Sequence, residues 1–198
     1  MTILDIIKKR YATKNFSGEK ISDDVLEALK ESIRLAPSSF NWQPWKIKII
    51  DDPKTLKELQ KYSWDQPQVG SASHLFIFCS VQDIDKNNER LLLKMKDNIP
   101  KDRFDALKSM TEGALKNMTE DDKEKMSERE LFMPVENLLL TATDLGYAAC
   151  PMGGFQADKY SEILKIPKDL KPIVIVPVGI PVDEPRKKIR FDYEEIFF

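Results

Sequence analysis

Apolar and polar positions in the first third of the chain follow helical and strand spacing in turn. Thr2 precedes a short helix with one apolar side, and Ser22 precedes a second helix that Pro37 ends. Residues 45–50 alternate between apolar and polar, which is typical of a half-buried strand. Asp52 then begins a helix that extends to about residue 62. The pattern predicts three capped helices around one strand.

Two unbroken apolar runs, residues 75–81 and 173–178, predict buried strands. Pro177 has no N–H for a sheet ladder, which predicts an edge position or an irregularity in the second strand. Residues 128–146 have the pattern of a long helix that is apolar nearly all round towards its end, so we expect it to be central. Pro134 marks a kink in this helix or its true start.

A charged segment separates these apolar elements. Residues 83–130 hold 24 charged side chains in 48 positions. Their few apolar residues recur at helical spacing, which predicts two exposed helices joined by a loop near 117–121. We interpret the segment as a solvated helical excursion. With about 150 residues as a usual domain size, the 198 residues predict a single domain, 1–198, that carries this excursion.

Composition narrows the class of protein. The chain is 41% hydrophobic and 32% charged with a net charge of −2, so it lacks the basic character expected for binding nucleic acid or an anionic membrane. No apolar run reaches the length of a membrane span, and the N-terminal residues do not resemble a signal peptide. Cys79, Cys150 and His74 have no metal-ligand spacing. We expect a cytoplasmic protein with reduced thiols, without a bound metal.

No glycine-rich phosphate loop is present, so a bound phosphate would need side chains. Three segments offer them: Arg10 with Lys14, the Ser/Asn/Gln-rich residues 38–43, and Lys187-Lys188-Ile-Arg190. Each also has an ordinary explanation. Arg10 and Lys14 could favour the negative end of the first helix, residues 38–43 could form a turn, and the last cluster could be a solvated surface.

In order, however, six segments of the chain resemble the flavin-dependent nitroreductase family, from about residue 3 to 193. They are RYATKNF at 10–16, APSSFNWQPW at 36–45, SASHLFIF at 71–78, NLLLTATDLG at 137–146, CPMGGF at 150–155 and KKIR at 187–190. The resemblance implies an α+β fold with a mainly antiparallel central sheet flanked by helices. It also implies a homodimer, with helix 131–146 at the interface and the C-terminal tail exchanged between subunits.

The resemblance further implies an FMN site. It assigns Arg10, Lys188 and Arg190 to the phosphate, Lys14 to the N1/O2 side of the isoalloxazine, and a partner-subunit contact to residues 38–41. The whole set of cofactor-binding residues that it implies is Arg10, Tyr11, Ala12, Lys14, Ser38, Ser39, Asn41, Gln68, Pro151, Met152, Gly153, Gly154, Lys188 and Arg190. No side chain is implied as a catalytic acid or base, because the redox chemistry belongs to the flavin.

Three positions depart from the better-known bacterial members. Gly153 stands where a glutamate is common, Ala12 replaces a hydroxyl residue, and Gln68 replaces a lysine. A backbone N–H of the Pro151–Gly154 segment can still reach flavin N5, but a charge near the ring is lost. The departures bear on redox potential and substrate preference.

The function implied is an FMN-dependent oxidoreductase. It would take electrons from NADH or NADPH and pass them to nitroaromatics, quinones or similar acceptors by ping-pong hydride transfer. Two alternatives stay open. One is a member specialised for another acceptor, such as an enone or a flavin. The other is a non-catalytic FMN-binding protein that stores the cofactor or senses redox state.

Overall fold

The computed structural model describes residues 1–198. The helices are α1 (Ile3–Lys9), α2 (Asp23–Arg34), α3 (Pro53–Lys61), α4 (Pro67–Gly70), α5 (Ile84–Met95), α6 (Lys101–Lys116), α7 (Glu120–Glu130), α8 (Phe132–Asp144), α9 (Ala157–Leu164) and α10 (Tyr193–Ile196). The strands are β1 (Trp45–Ile50), β2 (His74–Val81), β3 (Ala148–Ala149) and β4 (Leu170–Gly179), and a 3₁₀ turn covers Ser39–Asn41.

The sheet is antiparallel throughout, with the strand order β1-β2-β4-β3. Every residue of β2 is buried, as expected for a strand without alternation. Of the edge position and the irregularity predicted from Pro177, the edge position is wrong, because β4 lies between β2 and β3. Pro177 is tolerated there because its backbone faces the two-residue strand β3, where its carbonyl accepts a hydrogen bond from Cys150 N at 3.2 Å. β4 does contain an irregularity, but it falls at Ile173, where the register with β2 shifts between Phe78 and Cys79.

Helices cover both faces of the sheet. On one face, α2 and α8 pack against the strands through a cluster that includes Leu29, Leu138 and Phe76. On the other face, α3, α4 and α9 pack through a second cluster that includes Leu59 and Tyr160. The predicted α+β fold with a helix-flanked antiparallel sheet is therefore confirmed.

Side-chain caps explain where several helices begin. Thr2 and Asp5 form a reciprocal capping box on α1, and the hydroxyl of Ser22 accepts from a backbone N–H in the first turn of α2. Asp52 does the same for α3, which has Pro53 at its first position. These three predicted starts are confirmed.

The long helix predicted over 128–146 is two helices. α7 ends at Glu130 and α8 begins at Phe132, so Pro134 lies in the first turn of α8. Its missing N–H costs nothing there, because the first N–H groups of a helix have no partner within the helix. Of the two outcomes expected from Pro134, the start of a helix is the one found.

The charged excursion contains three helices instead of the two predicted. Pro100 directly precedes α6 and separates it from α5, a break that the helical spacing of apolar residues does not reveal. The excursion is also less solvated than expected, because its inward residues Ile84, Leu91 and Leu115 form a small core with the buried Trp42. This packing ties α5 to the segment that follows α2.

A number of large apolar side chains remain exposed. They lie on α1, on α8 and along the C-terminal tail, and include Ile3, Leu4, Phe132, Ile196 and Phe197. α1 and α8 contact each other, so their exposed side chains belong to neighbouring surfaces. None of the helices combines the length and the apolar character that a membrane span requires.

Candidate cofactor-binding site

Two basic segments that are far apart in sequence meet at the end of α1. Together they line a cavity of about 330 Å³. The predicted cofactor residues Arg10, Tyr11, Ala12, Lys14, Lys188 and Arg190 are all part of its wall. Arg186, Lys187, Ile189 and Asp183 complete it.

The tail is held against the 10–16 segment by specific hydrogen bonds. The Tyr11 hydroxyl donates to the carbonyl of Asp183 at 2.8 Å, and the amide of Lys14 donates to the Asp183 carboxylate at 2.9 Å. The Lys188 ammonium donates to the backbone carbonyl of Lys8, near the C-terminal end of α1. A cation is favourable at that end of a helix. The position of the basic tail is therefore set by the fold.

The cavity carries a strong excess of positive charge. Six cationic side chains and one carboxylate line it, and none of the six takes part in an ion pair. Burial and the neighbouring charges of Arg10 and Arg190 lower the pKa of Lys188. A bound anion would relieve this repulsion, and a phosphate would match the guanidinium forks.

The segment around residue 150 runs beside this basic cavity. Ala12 pairs with Ala149 in a parallel bridge, and the Lys14 ammonium lies 3.7 Å from the Cys150 thiol. Burial raises the pKa of Cys150, with Lys14 opposing that rise. The Pro151–Gly154 segment thus starts next to Lys14.

The backbone N–H groups of Gly153 and Gly154 have no hydrogen-bond partner in the protein. By contrast, the N–H and the carbonyl of Met152 both hydrogen-bond the backbone of Ile175. Gly153 is exposed, and a Cβ added there would meet nothing within 4 Å. Gly154 differs, because a Cβ there would lie 2.0 Å from the ring of Trp64. The segment therefore offers two hydrogen-bond donors, open space at Gly153 and a close aromatic neighbour at Gly154.

The remaining predicted residues lie outside the basic cavity of the chain. Ser39 hydrogen-bonds Glu130 through its backbone and its hydroxyl, and the Ser38 hydroxyl accepts from Gln43 N at 2.9 Å. Asn41 has a positive φ and lines a different cavity. Gln68 is almost fully buried and donates to the side chain of Gln66 at 2.9 Å.

Sequence reasoning missed two residues of this region. Asp183 joins both basic segments, and only its position shortly before the KKIR cluster could have drawn attention to it. Trp64 covers Gly154 from a backbone with φ of 55°, which no sequence pattern indicates. His74 and Cys79 are both buried. The ring of His74 hydrogen-bonds Ser73, and burial raises the pKa of Cys79 to about 12.

Comparison with known proteins agrees with this architecture. The chain matches the model of the nitroreductase family over residues 7–180. YfkO of Bacillus subtilis, assigned by its name to the NAD(P)H nitroreductases, is 31% identical, and the match covers 98% of this chain and 95% of YfkO. Another curated relative, a Staphylococcus haemolyticus protein with a similar name, is 27% identical, and the match covers 98% of this chain and 95% of that protein.

Among solved structures, a nitroreductase of Exiguobacterium sibiricum in complex with FMN has a TM-score of 0.88 and 25% identity, covering 99% of this chain and 96% of its own. A nitroreductase family protein of Streptococcus pneumoniae shares the fold, with a TM-score of 0.89 and 24% identity. The match covers 100% of this chain and 99% of that protein. The helix-flanked antiparallel sheet and the match over most of the chain define a protein class. The chain belongs to the nitroreductase family and is an oxidoreductase.

Proposed function

We propose that this chain is an FMN-dependent NAD(P)H oxidoreductase that reduces nitroaromatics, quinones or similar acceptors by ping-pong hydride transfer. The observation that carries the proposal is the cavity at the end of α1. Six unpaired cations line it, beside a segment with free N–H groups. The FMN in the related Exiguobacterium structure and the NAD(P)H in the name of YfkO support the choice of cofactor and donor.

The residues around the cavity fit FMN. Arg10, Lys188 and Arg190 would hold the phosphate, because two guanidinium groups and an ammonium group match its oxygens and lack a carboxylate partner. Tyr11 and Ala12 would contribute the wall between the phosphate and the ring. The single carboxylate, Asp183, accepts the amide of Lys14 and forms no ion pair with the phosphate-binding cations.

The ring end of the cofactor would lie towards Lys14 and residues 151–154. When bound, FMN supplies the hydride-accepting and hydride-donating chemistry. Lys14 would stabilise negative charge that reduction places on the ring, and it is oriented by its contact with Cys150. The free N–H of Gly153 would donate a hydrogen bond to the ring, and Gly154 and Pro151 would flank that contact. Met152 would contribute only as an anchor, since its side chain is buried in the core.

The site would be completed by a second subunit. Ser38, Ser39 and Asn41 lie away from the basic cavity of their own protomer, which is consistent with a role in the site of a partner. The exposed apolar residues of α1, α8 and the tail provide a surface for such a partner, because monomers rarely expose so many. We therefore include a homodimer of single-domain subunits, with exchanged tails, in the proposal. Gln68 would contact the pyrimidine edge only after its side chain leaves Gln66.

Anaerobic stopped-flow absorbance tests the proposal directly. The purified protein should show flavin absorbance, and either NADH or NADPH should bleach it. Addition of a nitroaromatic or a quinone to the reduced protein should restore the absorbance. Flavin that neither nicotinamide bleaches would instead assign the protein to cofactor storage or sensing, and purified protein that binds no FMN would refute the cofactor assignment.

A further inference from the structure

A second basic cavity lies between the segment after α2, strand β1 and helix α5. It has a volume of about 570 Å³, and no carboxylate belongs to its wall. Three cations, Lys46, Arg90 and Lys94, face it together with Asn41 and the apolar side chain of Met95. Most of its wall belongs to residues 83–130, for which the sequence suggested only a solvated surface.

Arg90 is positioned by a buried hydrogen-bond chain. Its guanidinium donates to the Asn87 side-chain oxygen at 2.8 Å, and the Asn87 amide donates to the carbonyl of Trp42 at 2.6 Å. The indole of Trp42 donates in turn to Asn88 at 2.9 Å. Asn87, Asn88 and Trp42 are each at least 95% buried, so the guanidinium is held on a rigid support. Such preorganisation is typical of a ligand-binding site, and here it fixes the guanidinium of an exposed arginine.

The cations of this cavity have no ion-pair partner in the protein. Lys46, Arg90 and Lys94 take part in none of the ion pairs of the chain. Burial and the nearby charge of Arg90 lower the pKa of Lys46, so these two cations repel each other. An anion between them would remove this repulsion and accept hydrogen bonds from both.

We propose that this cavity binds the phosphate groups of the nicotinamide dinucleotide donor, with the adenosine against its apolar side chains. The assignment rests on the proposed function. Asn41, expected in the cofactor site of a partner, also lines this cavity, so the cavity adjoins a site to which the nicotinamide must bind. The flavin phosphate already has its own cations around Arg10. The remaining phosphates in the reaction are those of the donor.

The test uses full-length protein loaded with FMN and probes that cannot transfer hydride. Isothermal titration calorimetry measures the binding of ADP-ribose, 2′-phospho-ADP-ribose and inorganic pyrophosphate. Arg90→Gln and Lys46→Gln should each weaken binding of both ADP-ribose compounds roughly tenfold, the usual effect of losing one charged hydrogen bond. Arg90→Lys, which keeps the charge but loses the fork, should fall between Arg90→Gln and wild type.

Arg129→Gln is the matched control, because Arg129 is exposed, lies outside the cavity and bonds only a carbonyl of its own helix. It should bind the probes as wild type does. Equal affinities in wild type, Arg90→Gln and Lys46→Gln would overturn the proposal. Pyrophosphate that binds as tightly as ADP-ribose, with the same loss in the variants, would assign the cavity to a free anion and also overturn it.

Flavin absorbance of every sample separates this proposal from the proposed function. Wild-type protein that holds no FMN refutes the proposed function. If FMN-loaded wild type, Arg90→Gln and Lys46→Gln bind the probes with equal affinity, only the proposed donor site is refuted.

Discussion

Gly153→Glu is the substitution that tests most directly how this chain controls its cofactor. The structure makes it a clean perturbation. Gly153 is exposed, its φ lies outside the left-handed region, and a Cβ there meets no atom within 4 Å. The new side chain therefore enters open space without backbone strain. The intended perturbation is the added negative charge near the proposed ring position.

The size of the effect follows from Coulomb's law. With the carboxylate about 6–8 Å from the charge that reduction adds, and an effective dielectric constant of about 20–40, the repulsion is about 1–3 kcal/mol. The reduced form carries that charge, so the carboxylate disfavours reduction. For a two-electron couple, the midpoint potential of the bound FMN should fall by about 20–60 mV.

Spectroelectrochemical titration of the FMN-loaded proteins measures this shift. Gly153→Gln is the matched control, because it adds nearly the same shape without the charge, and its potential should stay close to that of wild type. FMN occupancy is recorded for both variants, since a steric clash would release cofactor instead of changing its potential. A fully loaded Gly153→Glu protein whose potential equals or exceeds that of Gly153→Gln would refute the electrostatic argument.

Three further predictions concern binding, assembly and the thiols. Arg10→Ala should weaken FMN binding roughly 10- to 100-fold in equilibrium dialysis but leave riboflavin binding nearly unchanged, and Lys9→Ala, outside the cavity, should bind FMN normally. Sedimentation should detect a dimer whose dissociation and unfolding coincide, and a stable flavin-bearing monomer of 22.9 kDa would contradict this. Cys79, with a pKa of about 12, should resist iodoacetamide at pH 8 until urea unfolds the protein, and rapid alkylation of the folded protein would contradict its burial.

The elements that the sequence predicts well are those with a local chemical reason. Thr2, Ser22 and Asp52 each accept a backbone N–H of their own helix, so a window of a few residues contains the whole cause. The boundary between α5 and α6 has no such marker except Pro100, because apolar residues keep helical spacing on both sides of it. The burial of Trp42 among these helices depends on contacts across the chain, which no local window contains.

The candidate site also has a part that the sequence predicts and a part that it does not. Arg10 and Lys188 could be named from short segments and a family resemblance, but their meeting depends on tertiary bonds. Asp183 bonds Lys14 across 169 positions, and the Tyr11 hydroxyl bonds the carbonyl of the same residue. Neither bond has a local sequence signal. The free N–H of Gly153 likewise follows from how Met152 pairs with β4, which is a property of the sheet.

Asp183 holds the basic tail in place without pairing with any of the six cationic side chains of the cavity. Its carboxylate accepts the backbone amide of Lys14, so it holds the tail in place without forming an ion pair with any cationic side chain. Its second oxygen is buried and has no partner. A negative charge in the wall lowers the repulsion among the cations, and Asp183 occupies none of the hydrogen-bond donors of their side chains. The repulsion that remains is what binding of an anion would remove, so cofactor binding and stability of this end of the fold should rise together.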